Sequence, residues 1–276
     1  MKLPALVLAV LLAPCALAAS TAAKAGVDVS VAGNTATAEI DLSGVTAELI
    51  LTFDGVQNLS PANLGIDATL LGASDLLALA SRLPSTSLTS VPGALPLLIT
   101  VEPPLAGALS LNNTVRVEVH THLLPYTAGS QFRLFKAPLG GAFRDITDEV
   151  APGSVRTRGT TGGFSQFLVL VDLRPTSSVI GQKFADLRSR LTAVDGSLEQ
   201  TLGDQLDAAE SALAAGQYAA AIAAIDAFRA DVSAHAGGAL PNAWSTAVRG
   251  NNVAGDLLAG AATLRFSVGY QRDFGD

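Results

Sequence analysis

Glu118, His120 and His122 stand at every second position of Arg116-Val117-Glu118-Val119-His120-Thr121-His122, the stretch of this chain best suited to chemistry. On an extended strand alternate side chains share a face, so the carboxylate and both imidazoles would project together. Such a set suits a first-row cation such as Zn²⁺ or Fe²⁺. The same pattern has a plainer reading: Val115, Val117 and Val119 claim the opposite face for a core, and an antiparallel sheet ordinarily carries polar residues on its outer face. Asp145, Asp148 and Glu149 crowd a second short stretch, where a hard cation could find oxygen ligands. Their spacing is not that of an EF-hand, and acidic turns form for backbone reasons alone. Ser165 lies in Gly163-Phe164-Ser165-Gln166-Phe167, where a nucleophile elbow needs glycine at the position that Phe167 occupies. Gly159 to Gly163 lacks the Lys-Ser/Thr of a phosphate loop and reads as a hairpin turn. With three histidines in 276 residues, histidine-based acid–base chemistry is thinly supplied.

The elements that must position these residues fall into two textures that meet at Pro175. Before it, short alternating segments are divided by Gly, Pro, Asn and Asp. Val27, Val29 and Val31 alternate with polar residues, and Leu49, Leu51 and Phe53 repeat the two-residue period of a half-buried strand. Further segments at 66–71, 97–101, 114–121, 132–136, 154–158 and 167–173 bring the expectation to about eight to ten strands, a closed sandwich or barrel. Asp75 to Leu83 reads as a short helix, capped by Ser74 and stopped before Pro84. After Pro175 the period becomes helical. Ile180, Phe184, Leu187, Leu191 and Val194 form one apolar stripe, Leu198 to Leu213 a second and Ile222 to Val232 a third. Pro241 suits the first turn of a fourth helix, with Trp244, Val248, Leu257 and Leu264 on its buried side and Trp244 packed near Leu240. Stripes of this kind must cover one another, so a small antiparallel bundle is expected. The fold class is α+β with its parts segregated: an antiparallel β-sandwich over 26–174, a helical bundle over 176–266 and a flexible tail over 267–276.

The N-terminus addresses the chain. Lys2, an apolar run from Leu3 to Leu12 and the exit Ala16-Leu17-Ala18 are the three parts of a secretory signal peptide over 1–18, of the bacterial style. Cleavage would remove Cys15, and Pro14 before it fits a lipidation signal poorly, so neither a disulfide framework nor a lipid anchor is the favoured reading. The formal charge of −7 and 5% aromatic content argue against nucleic-acid binding. No apolar stretch after the signal has transmembrane length. An exported protein, periplasmic or extracellular, follows.

Between Arg133 and Arg174 a continuous pattern stands out: Arg133-Leu134-Phe135-Lys136-Ala137-Pro138, Phe143-Arg144-Asp145-Ile146-Thr147, Gly153-Ser154-Val155-Arg156 and Gly162-Gly163-Phe164-Ser165-Gln166-Phe167. It resembles the closing strands of immunoglobulin-like β-sandwich modules in exported bacterial proteins. Ala214-Ala215-Gly216-Gln217-Tyr218 through Ile222, Ile225, Phe228 and Val232 is similar to the helical FIMAH module of secreted proteins. The whole chain resembles an uncharacterised family of exported bacterial proteins of unknown function. The resemblance implies location and an immunoglobulin-like architecture, and brings no catalytic residue and no cofactor. The expected function is therefore non-enzymatic: binding or adhesion at the cell envelope, with a protein or glycan partner. The alternative is a metal-binding protein or metal-dependent enzyme using Glu118, His120 and His122.

Overall fold

The structure, a computed structural model, describes residues 26–276; the expected signal peptide over 1–18, with Cys15, lies outside the described residues. The chain opens with three antiparallel strands, β1 (Val27–Ala32), β2 (Thr35–Leu42) and β3 (Val45–Gln57). Ser43-Gly44, with φ of 52° and 86°, links Leu42 to its partner Val45, the two left-handed residues that a tight hairpin requires. Then follow α1 (Pro61–Leu64), β4 (Ile66–Leu70), α2 (Ala73–Ala80), β5 (Thr89–Ser90), β6 (Leu97–Val101) and the long β7 (Ser110–Thr121). The strands β8 (Phe132–Ala137), β9 (Arg144–Asp145), β10 (Thr147–Ala151), β11 (Val155–Thr161) and β12 (Gln166–Asp172) precede the helices α3 (Thr176–Leu191), α4 (Gly196–Ala214) and α5 (Tyr218–His235). A last strand, β13 (Ala243–Ser245), and the helix α6 (Val253–Phe274) end the chain.

The described residues thus form a mixed α+β protein with two antiparallel sheets. One has the order β1-β2-β3-β7-β11-β10, with β13 also paired to β7; the other has the order β4-β6-β12-β8-β9, with β5 on β12. Alternation decides which side chains meet between them. Ala38, Ile40, Leu49, Leu51, Val115, Val117 and Val119 of the first sheet share one core with Ile99, Leu134, Phe167 and Val169 of the second. β12 is apolar on both faces because Leu168 and Leu170 point the other way, into a small cluster with Phe135, Phe143 and Leu79 of α2. The helices have their own core, in which Phe184, Leu206, Ile225, Phe228 and Leu257 are buried. Within that layer α6 packs on α3 and α5 and also touches β7, β10 and β11. Gly260 makes the approach to α3 close: a Cβ there would stand 2.7 Å from a methyl group of Leu187.

Four expectations are corrected. The helix expected at Pro241 starts at Val253, and the intervening Ala243–Ser245 is a strand. β11 pairs with β7 only over Val115–Thr121, which leaves the backbone of Ser110–Asn112 in need of partners that β13 supplies. Trp244 consequently belongs to the core between the sheets, while Leu240 belongs to the helical core. Residues 267–274, expected as part of a tail, are the last turns of α6, where Tyr270 donates its hydroxyl to Gly129 O at 2.8 Å. Gly162-Gly163 is no hairpin turn, because β11 and β12 lie in different sheets. Its glycines answer to close approach instead: a Cβ on Gly162 would lie 2.9 Å from Asp256 N, and one on Gly163 2.9 Å from the Trp244 ring.

Candidate functional site

β7 brings the residues of the expected metal set to one face, as alternation requires, but gives them other partners. Both carboxylate oxygens of Glu118 accept from guanidinium groups, Oε1 from Arg156 and Oε2 from Arg158. Those charges hold Glu118 below the usual carboxylate range, although burial by itself would raise it. His120 Nδ1 lies 3.4 Å from Glu48 Oε2, and His122 Nδ1 lies 2.6 Å from Ser154 Oγ. The two imidazoles meet edge to face, with ring centres 4.7 Å apart. Among the described residues no group of three or more His, Cys, Asp or Glu is placed to hold a metal ion. An arginine pair on the neighbouring strand neutralises the Glu118 carboxylate. Asp145, Asp148 and Glu149 are separated in the same way. Asp148 and Glu149 pair with Arg116, while Asp145 pairs with Lys183.

A cavity of about 560 Å³ lies where the sheets meet α3 and α6. Apart from Lys136, its charged lining residues fall in matched pairs. Lys183 reaches Asp145 at 2.6 Å, Arg190 reaches Asp256 at 3.1 Å, Arg249 reaches Glu102 at 3.1 Å and Arg144 stands 3.9 Å from Asp186. Its apolar wall includes Trp244, Phe164 and Leu139. Phe164 stands edge-on to both Trp244 and Phe53, with ring centres 5.2 and 5.9 Å apart.

Lys136 breaks the pairing. Among the described residues no carboxylate lies within ion-pair distance of its ammonium, which donates instead to Thr161 Oγ1 and, at 2.7 Å, to Gly163 O. The residue is half-buried and lines the cavity. Burial brings its pKa down to about 8, with Asp256 opposing that change and Arg190 adding to it. β8 explains its position. Phe132 and Leu134 face the core between the sheets, and the next residue on that face is Lys136. Ser165 also lines the cavity, where its carbonyl accepts from Val101 N at 2.9 Å.

Sequence reasoning passed over Lys136, Arg190, Asp256 and the role of Trp244. A signal for Lys136 was present, since it occupies a core-facing register position of a strand already identified. The others depend on which helix meets which sheet.

An ammonium held without a carboxylate costs stability. Lys136→Met is expected to raise the melting temperature by roughly 2–4 °C, about 1 kcal/mol for a chain of this size. Thr161 Oγ1 and Gly163 remain bonded to one another in that variant, so nothing is orphaned. The sign with pH follows from the lowered pKa. Between about 8 and the ordinary lysine value of about 10.4 the unfolded chain binds the extra proton, so wild-type stability gains from rising pH over that window. Thermal melts across the window should lose this component in the methionine variant; a variant that melts lower, with unchanged pH dependence, refutes the assignment.

No curated protein and no solved structure matches the chain. A family described as a family of unknown function does match, over residues 8–272.

Proposed function

The chain belongs to the family of unknown function DUF6689, and from that premise we propose that it is an exported, non-enzymatic binding protein that holds a small molecule between its sheets and its helices. The observation that carries this reading is the cavity itself: about 560 Å³, lined by both apolar and charged groups. Ligand sites of that volume and lining are the usual form of small-molecule recognition. In this reading the two sheets are an immunoglobulin-like sandwich and the helices are its partner layer, so that the cleft between layers takes the place of the envelope protein or glycan surface that sequence alone suggested. Export is supported by the signal-like residues 1–18. Among the described residues, none of the helices is long and apolar enough to cross a membrane.

The test uses Ala142, an exposed residue that lines the cavity. Native mass spectrometry of the chain recovered from an exported fraction should show a small-molecule adduct that denaturation releases, and Ala142→Trp should lack it. If wild type carries no adduct, and no fraction of a metabolite extract raises its melting temperature relative to the tryptophan variant, the reading is wrong.

A further inference from the structure

We infer that the cavity takes a small organic anion, its charged head on Lys136 and its apolar body along Trp244, Phe164 and Leu139. This rests on the binding role proposed above and names the class of ligand. Three observations lead to it.

The first is charge. The other four cations of the cavity each face a carboxylate, so Lys136 leaves one positive charge uncancelled, in a chain whose overall charge is −7. A low-dielectric wall strengthens the attraction of that charge for an anion. The second is hydrogen bonding. An ammonium carries three donors, and protein acceptors meet two of them. The third donor has no protein acceptor among the described residues, on a residue that lines the cavity. A carboxylate or phosphate oxygen completes the set. The third is the apolar part of the lining. Two aromatic rings locked edge to face, together with Leu139, which is 52% exposed, offer an apolar surface that a bare inorganic ion would not use.

Binding should follow the protonation of Lys136. Arg190 from α3 and Asp256 from α6 are the charged groups that bear on it, and Thr161 and Gly163 hold it from the chain between the sheets. Affinity for an anion that keeps its own charge is then level just below pH about 8 and falls by roughly tenfold per pH unit above it, because the free protein loses the proton that the complex needs.

Calorimetric titration of the full chain with phenylacetate, phenyl phosphate and the neutral phenylacetamide tests the proposal. The expected result is that at least one anion binds tenfold or more tighter than the amide, and that Lys136→Met abolishes the difference while remaining folded by circular dichroism. Comparing the two anions tells a carboxylate head from a phosphate head. The proposal is overturned if the amide binds as tightly as the anions, if the methionine variant retains the preference, or if neither anion binds. Ala142→Trp separates these failures from failure of the binding role: an amide displaced by that variant leaves the cavity a binding site with a different ligand class.

Discussion

Trp244→Ala is expected to destabilise the protein by about 3–5 kcal/mol, the range for removing a large buried aromatic. Trp244 is 6% exposed, stands edge-on to Phe164 and lies so close to Gly163 that even a methyl group there would collide with it. It arrives from the helical end of the chain, on β13, and closes the core between the sheets. Its loss therefore damages two things at once: the packing of that core and the seam that ties α6 to it. The neighbouring Asn252 shows how tight that seam is. It caps α6 by accepting from Gly255 N at 2.9 Å, and its amide donates to Asn113 O at 2.6 Å and Gly162 O at 2.9 Å. Urea titration followed by far-ultraviolet circular dichroism measures the effect, with Trp244→Phe losing much less. In wild type this single tryptophan reports the junction, so fluorescence and circular dichroism should trace one coincident transition. A loss below 1 kcal/mol, or helices that melt apart from the sheets, would show that the seam does not couple them.

The second large effect is at Lys183. Its ammonium donates to Asp145 Oδ2 at 2.6 Å, Thr263 Oγ1 at 2.6 Å and Ser267 Oγ at 2.8 Å, which joins α3 to β9 and to α6. The two side chains are 7% and 3% exposed. Lys183→Met leaves the Asp145 carboxylate buried without its partner and should cost about 3–5 kcal/mol. Adding Asp145→Asn removes the stranded charge yet keeps an oxygen for Thr147 N, so the double variant recovers a large part of the loss. The pH dependence has a definite sign. Burial would raise Asp145, but the charges of Lys183 and Arg133, with hydrogen bonds from Lys183 and Thr147, outweigh it and hold the carboxyl below its ordinary value. Its contribution in wild type is present above pH about 4 and is lost as pH falls through the lowered native value. Without Lys183 the buried carboxyl gains from protonation, so the gap between variant and wild type narrows from pH 7 to pH 4. A gap that is constant across this range, or a double variant no better than the single, would mean that the pair is not what the site depends on.

Much of this architecture could be read from local pattern. The period of two placed Val115, Val117 and Val119 on a core face and Glu118, His120 and His122 on the other, because neighbouring side chains on a strand must point apart whatever surrounds them. The period near 3.6 placed Phe184, Leu187, Leu206, Ile225 and Phe228 in a helical core for the same kind of reason. Shared facing does not fix each residue's partners, however. Glu118 was claimed by Arg156 and Arg158, which lie some forty residues away along the chain and one strand away in space.

What local pattern decided is thus the type of each element and the side of it that is buried, since both follow from backbone geometry over a few residues. Tertiary structure alone decided the rest: that Ala243–Ser245 would complete β7 as a strand, that Trp244 would cross from the helical segment to the sheet core, and that Lys136 would line a cavity together with residues of α6. These depend on which backbone groups remain unpaired and which charges remain uncancelled after distant segments have met. No window of sequence contains that information, because the partner that settles each case lies in another part of the chain.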